Sequence, residues 1–378
     1  MADNTTGREA AGQVQVAEEI LNSFLSLAPK KDFDLVNTIF SRRNNRIWIF
    51  GAAGIGISIK RWLTERGCTV YSFCDNDPEK VGKAVDGIPC RSFSELRQDR
   101  SGIVLIAIWK YFNEVTHQCE EAGVPFWDGM LLSGVVFDTI EDTANFISGN
   151  LPKIAGICRK LADSQSAEIY MAAQAARLFR ERGAMRHYRS PLQYIEPEIV
   201  PMGERETVLI CGAGDGVVAA EVNNVTGGTA VIHLFEPDSE NFSRLLNSVA
   251  HMPNVRCVES GVGRRSERLP FCGGMGGNAT FSLPGDQTAD VVSIDDYVKD
   301  TGVIPSFITM DIEGWELEAL CGAKETILRY RPKLAISLYH RASDFVNIPE
   351  FLLKLRPDYK LYVRHYTDSY SDTIAYFV

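Results

Sequence analysis

The sequence predicts an α/β protein built from two doubly wound, Rossmann-like domains joined by a helical connector. Short apolar strands alternate with helical segments in two separate stretches, which is the pattern of a parallel sheet covered by helices. A stretch without strand signals separates the two, and each begins with a Gly-rich turn after its first strand. The predicted segments are an N-terminal helical segment at 1–35, a first domain at 36–149, the connector at 150–193 and a second domain at 194–378.

Composition agrees with two globular domains and excludes some partners. The chain has 378 residues, of which 45% are apolar and 23% charged, so each domain can bury a core. A net charge of −10 without basic blocks argues against nucleic acid as a partner. Scattered cysteines without paired motifs are typical of a reducing compartment. With no long apolar run and no signal-like start, we expect a cytoplasmic protein without a membrane partner.

The first elements follow from apolar periodicity. Apolar residues at helical spacing predict a short leading helix at 14–27. Compact apolar runs then predict strands at 47–50, 70–74 and 103–108, and the segments between and after them predict helices at 56–66 and 112–122.

The first domain carries a candidate nucleoside site. Its glycine turn contains Gly51, Gly54 and Gly56, and Asp75 follows the second strand. Such glycines let backbone approach a phosphate, and the acid can accept hydrogen bonds from a ribose diol. Tight helix–strand packing is the alternative reason for the glycines. This segment resembles the Rossmann-like domain that binds nucleotide-sugars in sugar-modifying enzymes. The G-x-x-G-x-G spacing favours a nucleotide-sugar, or no ligand, over a dinucleotide.

The second domain repeats the pattern after the connector, which is rich in Ala, Arg, Leu and Met and ends before Pro191. A Gly-rich turn from Gly212 and an acid at Glu236 have the same separation as their counterparts in the first domain. Seven strands, the last two forming a hairpin-like pair, are predicted at 208–211, 230–235, 255–259, 307–310, 334–338, 360–364 and 373–377.

The motifs of the second domain resemble those of the FkbM-type methyltransferase family. They are VLICGAGDG, HLFEPD, VRCVESGVG and, most specific, DIEGWE followed by LCGA and RP. The resemblance implies a class I methyltransferase fold with seven strands and S-adenosylmethionine as cofactor. It also implies methylation of a hydroxyl on a small-molecule acceptor: a sugar, a nucleotide-sugar or another metabolite.

The family motifs also imply a cofactor site. Glu236 would hold the ribose hydroxyls. The glycine turn would bend around the methionine part, and the turn after the third strand would border the adenine; these two groups are Gly212, Ala213, Gly214, Asp215 and Gly216, and Ser260, Gly261 and Val262.

Four candidate catalytic residues follow strands of the second domain: Asp311, Glu313, His340 and His365. The carboxyl ends of parallel strands form the ligand-binding edge of an open sheet. A hydroxyl acceptor benefits from a base that takes its proton, and each of the four can serve. Asp311 can instead orient the reactants, and the histidines can simply cap strands. The four side chains could converge on a divalent metal ion, but their spacing shows no metal signature, so no metal site is predicted.

Two further points stay open at the level of sequence. The Gly-rich loop at 272–280 predicts either a lid over the acceptor or a crossover without a role. Ile210 and Thr309 stand where the family commonly has an acid and a lysine. The alternative to an enzyme is therefore a non-catalytic scaffold that binds nucleotide or S-adenosylmethionine. If the protein is an enzyme, the front domain would hold the acceptor's nucleotide or mediate assembly into a homo-oligomer.

Overall fold

The computed structural model describes residues 46–378 apart from 66, 100, 109–110, 130–137, 139, 180–184, 274–278, 283–284, 286 and 369. The predicted helix at 14–27 and the centre of the predicted lid loop lie outside the described residues. Two compact units divide the described chain, one covering 46–129 and the other beginning at Asp138. Among the described helices, none is both long and apolar enough to cross a membrane.

The front unit contains a six-stranded sheet in the order β3-β4-β2-β1-β5-β6. Only the β3–β4 pair is antiparallel. The three predicted strands are present. The short β3, β4 and β6 were not predicted, because their sequences, AV, IPCR and FWD, are too short or too mixed to stand out as apolar runs. The elements are β1 Ile47–Phe50, α1 Gly54–Glu65, β2 Val70–Cys74, β3 Ala84–Val85, β4 Ile88–Arg91, α2 Phe93–Leu96, β5 Ile103–Ile106, α3 Phe112–Glu121 and β6 Phe126–Asp128.

The helices of the predicted connector pack within the second unit. They are α4 Ile140–Cys158 and α5 Ser164–Phe179. The amide of Ala162 donates to the carbonyl of Leu361 at 2.8 Å, so the turn between the helices extends the edge of the second sheet. Chain contacts therefore place the start of this unit at Asp138, whereas the sequence suggested 194. The reason is that α5 packs against the strand Leu361–His365 of this sheet and α4 packs against α5 and the helix Asp344–Leu355.

The second unit has the predicted seven-stranded sheet, in the order β15-β16-β14-β13-β7-β8-β9. Its last strand runs antiparallel to both neighbours, as the hairpin-like pair predicted. The doubly wound fold is thus confirmed. The strands are β7 Thr207–Cys211, β8 Val231–Phe235, β9 Val255–Val258, β13 Phe307–Met310, β14 Lys333–Ser337, β15 Leu361–His365 and β16 Thr373–Phe377.

A second, three-stranded sheet follows β9 and was not predicted. It has the order β10-β12-β11 and comprises β10 Gly261–Val262, β11 Glu267–Phe271 and β12 Gln287–Val292. β10 has only two residues, and β11 and β12 alternate only weakly between apolar and polar residues, which explains why periodicity missed the sheet. The predicted lid loop connects β11 to β12, and its ends are joined by a bridge between Cys272 and Thr280.

Helices cover the second sheet, and two of them begin at residues whose side chains cap the helix. Asp238 accepts hydrogen bonds from the amides of Glu240 and Asn241, and Ser293 accepts one from Asp296. The remaining helices are α6 Val217–Val225, α7 Ser239–Val249, α8 Ile294–Thr301, α9 Glu316–Cys321, α10 Lys324–Tyr330 and α11 Asp344–Leu355.

Candidate active site

The glycine turn after β7 lies directly against the end of β13. Gly212 has a φ of 84°, and a Cβ atom there would lie 1.9 Å from the carbonyl oxygen of Asp311. On the other side, the amides of Gly212 and Ala213 donate to the carbonyl of Phe235 at 3.1 and 3.0 Å. Only glycine can bring the two strand ends this close.

The other residues of this turn differ in whether they border open space. Gly214 has a φ of 52°, and a Cβ there would meet nothing within 4 Å, so its backbone borders open space. Gly216 caps α6 with a φ of 90°. Asp215 is exposed and Ala213 is buried. Within the predicted set, Gly212 and Gly214 are therefore the turn residues that border the cavity described below.

Glu236 follows β8 and is only 5% exposed. Its carboxylate accepts from the amides of Gly214 at 2.9 Å and Asp238 at 3.0 Å. Burial raises the pKa of Glu236 above its ordinary value despite these bonds. The acid predicted for ribose recognition thus lies beside the glycine turn, in contact with its backbone.

The turn after β9 contributes two of its three predicted residues to the cavity. Gly261 and Val262 line it from β10. The hydroxyl of Ser260 donates to the carbonyls of Gly261 at 2.9 Å and Asp290 at 3.0 Å. Ser260 is buried and joins β10 to β12, so its contacts are those of a structural residue.

One cavity connects the predicted cofactor residues to two of the predicted catalytic residues. Its empty space, including the part open to solvent, is about 640 Å³. It is lined by Gly212, Gly214, Phe235, Glu236, Pro237, Asn241, Gly261, Val262, Ala279, Phe281, Asp311, Ile312 and Glu313. The end of the predicted lid loop, at Ala279 and Phe281, therefore forms part of its wall.

Asp311 is held at the cavity wall by two tyrosines. The hydroxyl of Tyr194 donates to Asp311 Oδ2 at 2.5 Å, and the hydroxyl of Tyr339 donates to Oδ1 at 2.8 Å. Burial and the neighbouring Asp311 raise the pKa of both tyrosines well above its usual value, so they remain donors. The carboxylate therefore has a fixed orientation.

His340 lies behind this wall among carboxylates and is completely buried. Its Nε2 is 3.4 Å from both Asp311 Oδ1 and Glu313 Oε2, and its Nδ1 is 3.0 Å from Glu316 Oε1. Burial alone would lower the pKa of His340, but Glu316 and Glu313 outweigh it and raise this pKa well above its usual value. Burial raises the pKa of Glu313, even though His340 opposes that change.

The structure does not bring His365 to this cluster. His365 is buried at the end of β15, and its Nδ1 lies 2.9 Å from Thr373 Oγ1 on the paired strand β16. Its carbonyl accepts from Ser190 at 2.8 Å. These contacts are those of a residue that joins strands, which was the alternative reading of its position.

In the front unit, the acid of the candidate site is hydrogen-bonded to residues of the same unit. Asp75 accepts from the amides of Ala52 at 2.9 Å and Asp77 at 3.0 Å, and Lys80 Nζ is 3.1 Å away. Burial would raise the pKa of Asp75, but these bonds lower it overall. A Cβ on Gly51 would lie 2.5 Å from the carbonyl oxygen of Ala107. A Cβ on Gly56 would lie 2.0 Å from the carbonyl oxygen of Gly51. Gly54 is the first residue of α1. Packing accounts for Gly51 and Gly56.

Several site residues were not singled out from the sequence. Glu316 belongs to the DIEGWE motif, and Tyr339 precedes His340, so proximity in sequence could have found both. Tyr194 is separated from Asp311 by 117 positions and belongs to the region assigned to the connector boundary. Its contact depends on tertiary packing, which leaves no local pattern.

Comparison with known proteins agrees with the second unit's architecture. Residues 211–361 match the family described as "Methyltransferase FkbM domain". The chain is similar to the crystal structure of methyltransferase FkbM from Methylobacillus flagellatus KT, with 26% identity and a TM-score of 0.70, over 97% of this chain and 100% of the other. A weaker likeness, at 13% identity and a TM-score of 0.32, is to Aeropyrum pernix fibrillarin with bound S-adenosyl-L-methionine, over 47% and 69% of the chains. No curated protein matches the chain.

Proposed function

We propose that the protein transfers a methyl group from S-adenosylmethionine to a hydroxyl of a sugar, nucleotide-sugar or other small metabolite. The match of residues 211–361 to the FkbM methyltransferase domain supports this proposal. The observation that carries this proposal is the single cavity that has the glycine turn and Glu236 on one side and Asp311 and Glu313 on another. A donor and an acceptor bound there would be neighbours.

The residues of the turn fit the proposed donor. The open space next to Gly214 leaves its backbone accessible, and the buried carboxylate of Glu236 offers acceptor oxygens for a ribose diol. When bound, S-adenosylmethionine supplies a methyl carbon on a positively charged sulfur. Gly261 and Val262 give the cavity an apolar border suited to a base.

Asp311 is the residue that we assign to the acceptor. Its carboxylate is oriented by Tyr194 and Tyr339 and also borders the cavity, so it can accept a hydrogen bond from an acceptor hydroxyl. In the transfer, the hydroxyl oxygen forms a bond to the methyl carbon as the carbon–sulfur bond breaks, and the hydroxyl proton passes to the carboxylate cluster. Alignment of this kind can supply about 7–11 kcal/mol of the barrier.

The scaffold alternative is less well supported than catalysis. The two departures from the family pattern, Ile210 and Thr309, are register partners on adjacent strands, and both are buried. An acid and a lysine there would form a buried ion pair, which uncharged side chains can replace without loss of stability. The two departures together therefore replace one ion pair inside the sheet with one uncharged pair, and the cavity residues remain in place.

A methyl-transfer screen tests the proposal directly. The full chain would be incubated with S-adenosylmethionine labelled in its methyl group and with panels of sugars, nucleotide-sugars and other hydroxylated metabolites. We expect label in at least one acceptor, attached through oxygen. Donor binding without transfer to any acceptor or to components of a cell extract would favour the scaffold instead.

Asp311→Asn separates catalysis from binding once an acceptor is known. The amide keeps the shape of the side chain but removes the charge, and loss of a group that accepts the proton typically lowers the rate by about 10²–10⁴-fold. Donor affinity should stay within about twofold of the parental value, because the residues assigned to the donor are unchanged. Parental turnover in Asp311→Asn would remove Asp311 from the mechanism.

A further inference from the structure

We propose that Asp311, Glu313 and His340 bind a divalent metal ion in the wall of the cavity. The ligand atoms of these three residues all lie within 4.8 Å of one another. The proposal deepens the proposed function, on which its catalytic meaning rests, because the ion would contact an acceptor hydroxyl in the same cavity. The sequence spacing did not predict it.

The two distances from the histidine to the carboxylates suit a coordination shell. His340 Nε2 lies 3.4 Å from an oxygen of each carboxylate. Two ligand atoms that each lie about 2.1 Å from a metal are separated by about 3.0–3.4 Å, depending on whether the geometry is octahedral or tetrahedral. A mixed set of two carboxylates and one imidazole suits Mn²⁺ and Zn²⁺.

Glu316 orients the histidine in the manner of a metal ligand. Its Oε1 is 3.0 Å from His340 Nδ1 and also accepts from the amide of Ile312 at 2.9 Å. A proton on Nδ1 that is donated to Glu316 leaves the lone pair of Nε2 directed towards Asp311 and Glu313. Histidines that bind metals are commonly held in this way by a carboxylate behind them.

The charge around the cluster favours a cation. Three carboxylates, those of Asp311, Glu313 and Glu316, lie within 3.0–3.4 Å of the imidazole nitrogens of His340. Within the described chain, Glu316 Oε2 is buried without a hydrogen-bond partner. Buried carboxylates are costly unless a positive charge lies among them. A divalent ion supplies more of that charge than one imidazolium.

The cluster is also accessible from the cavity. Asp311 and Glu313 line it, whereas His340 and Glu316 lie deeper. Three protein ligands leave positions for water or substrate oxygen, and a metal-bound hydroxyl loses its proton more readily. The metal would therefore make the acceptor oxygen a better nucleophile, and the released proton would pass to a carboxylate oxygen of the cluster that does not bind the ion.

Metal binding to the full chain tests the proposal without any acceptor. After treatment with chelator and dialysis, the protein would be titrated with Mn²⁺ by calorimetry and by electron paramagnetic resonance, and with Zn²⁺ as a second probe. We expect one site per chain. The absence of a stoichiometric site for both ions would overturn the proposal and leave His340 as an imidazolium among carboxylates.

Near-isosteric variants locate the ion. Glu313→Gln and His340→Gln should each weaken Mn²⁺ binding by at least tenfold, and Glu316→Gln by about 10–100-fold, the usual effect of losing a carboxylate behind a ligand. His365→Gln is the matched control, because it removes a buried histidine from the end of β15, which β16 separates from β14, and should leave affinity unchanged. Circular dichroism would report folding. Unchanged affinity in folded Glu313→Gln would contradict the assignment even if His340→Gln does not fold.

Donor binding is measured separately so that the two proposals fail separately. Binding of S-adenosylmethionine without Mn²⁺ or Zn²⁺ binding would remove the metal and leave the methyltransferase proposal. Metal binding without donor binding would leave the metal site and remove the methyltransferase proposal.

Discussion

At the scale of single residues, the site depends on one glycine that lets two strand ends meet. Gly212 combines a left-handed φ with a contact in which a Cβ would lie 1.9 Å from the carbonyl of Asp311. The glycine turn and the residue assigned to catalysis are therefore adjacent through backbone. Displacing this turn would disturb the donor and acceptor sides of the cavity together.

Gly212→Ala tests this dependence against a matched control. Gly227→Ala also places a side chain at a left-handed φ, of 60°, but in open space. The control should lose about 1 kcal/mol of unfolding free energy and keep donor affinity, because only the backbone conformation is penalised. Gly212→Ala should lose at least about 2–3 kcal/mol and weaken donor binding as well. Chemical denaturation and calorimetry would measure both; equal losses in the two variants would refute the close approach.

The raised pKa of Glu236 predicts how donor binding depends on pH. The ribose hydroxyls donate to the carboxylate form, so affinity is retained above the pKa and lost as the pH falls through it. Because this pKa is raised, the loss should begin at a higher pH than for an ordinary glutamate. Calorimetry at several pH values would follow it, and Glu236→Gln, which has no proton to gain, should show a flat profile over the same range.

At the scale of elements, the connector helices are part of the second unit. Arg364 on the edge strand β15 pairs with Asp163 at 2.8 Å and also donates to Ser166 at 2.9 Å. Arg177, in α5, donates to the carbonyls of Tyr339 and His340. The helices thus cover the edge of the sheet and hold the backbone that presents two residues of the site.

Two truncations distinguish the boundary suggested by the sequence from the one in the structure. A fragment of residues 138–378 should unfold cooperatively and bind donor, because it retains α4 and α5. A fragment of residues 194–378 should aggregate or unfold at a much lower temperature, because it exposes the apolar face that those helices cover and leaves the buried Arg364 without Asp163. Equal melting temperatures and donor affinities would show that the connector is dispensable.

At the scale of the whole molecule, regular patterns were predictable and long-range contacts were not. The bounds of β1 and β13 agree exactly with the sequence, because both are central parallel strands whose four residues are all buried. The Asp311–Glu313 motif could be placed at a strand end for the same reason. By contrast, the partnership of Tyr194 with Asp311, the separation of His365 from the cluster and the three-stranded sheet depend on tertiary packing.

The front unit offers a further test at this scale. Its acid is bonded to the turn and to Lys80, so a nucleotide-sugar would have to displace these contacts. We therefore expect any nucleotide-sugar that binds the full chain to do so through the second unit, and Asp75→Asn to leave its affinity unchanged by calorimetry. A large loss of affinity in Asp75→Asn, with the fold intact, would assign a nucleotide site to the front unit.

The most direct test of the central claim is a calorimetric titration of the full chain with S-adenosylmethionine, repeated on Glu236→Gln and on the exposed control Glu240→Gln. Hydrogen bonds to a charged group contribute about 1.5–3 kcal/mol, so Glu236→Gln should weaken binding by about tenfold or more. The account predicts one donor site per chain, weakened in Glu236→Gln and unchanged in Glu240→Gln. Failure of the native chain to bind the donor, or equal affinity in all three proteins, would contradict it.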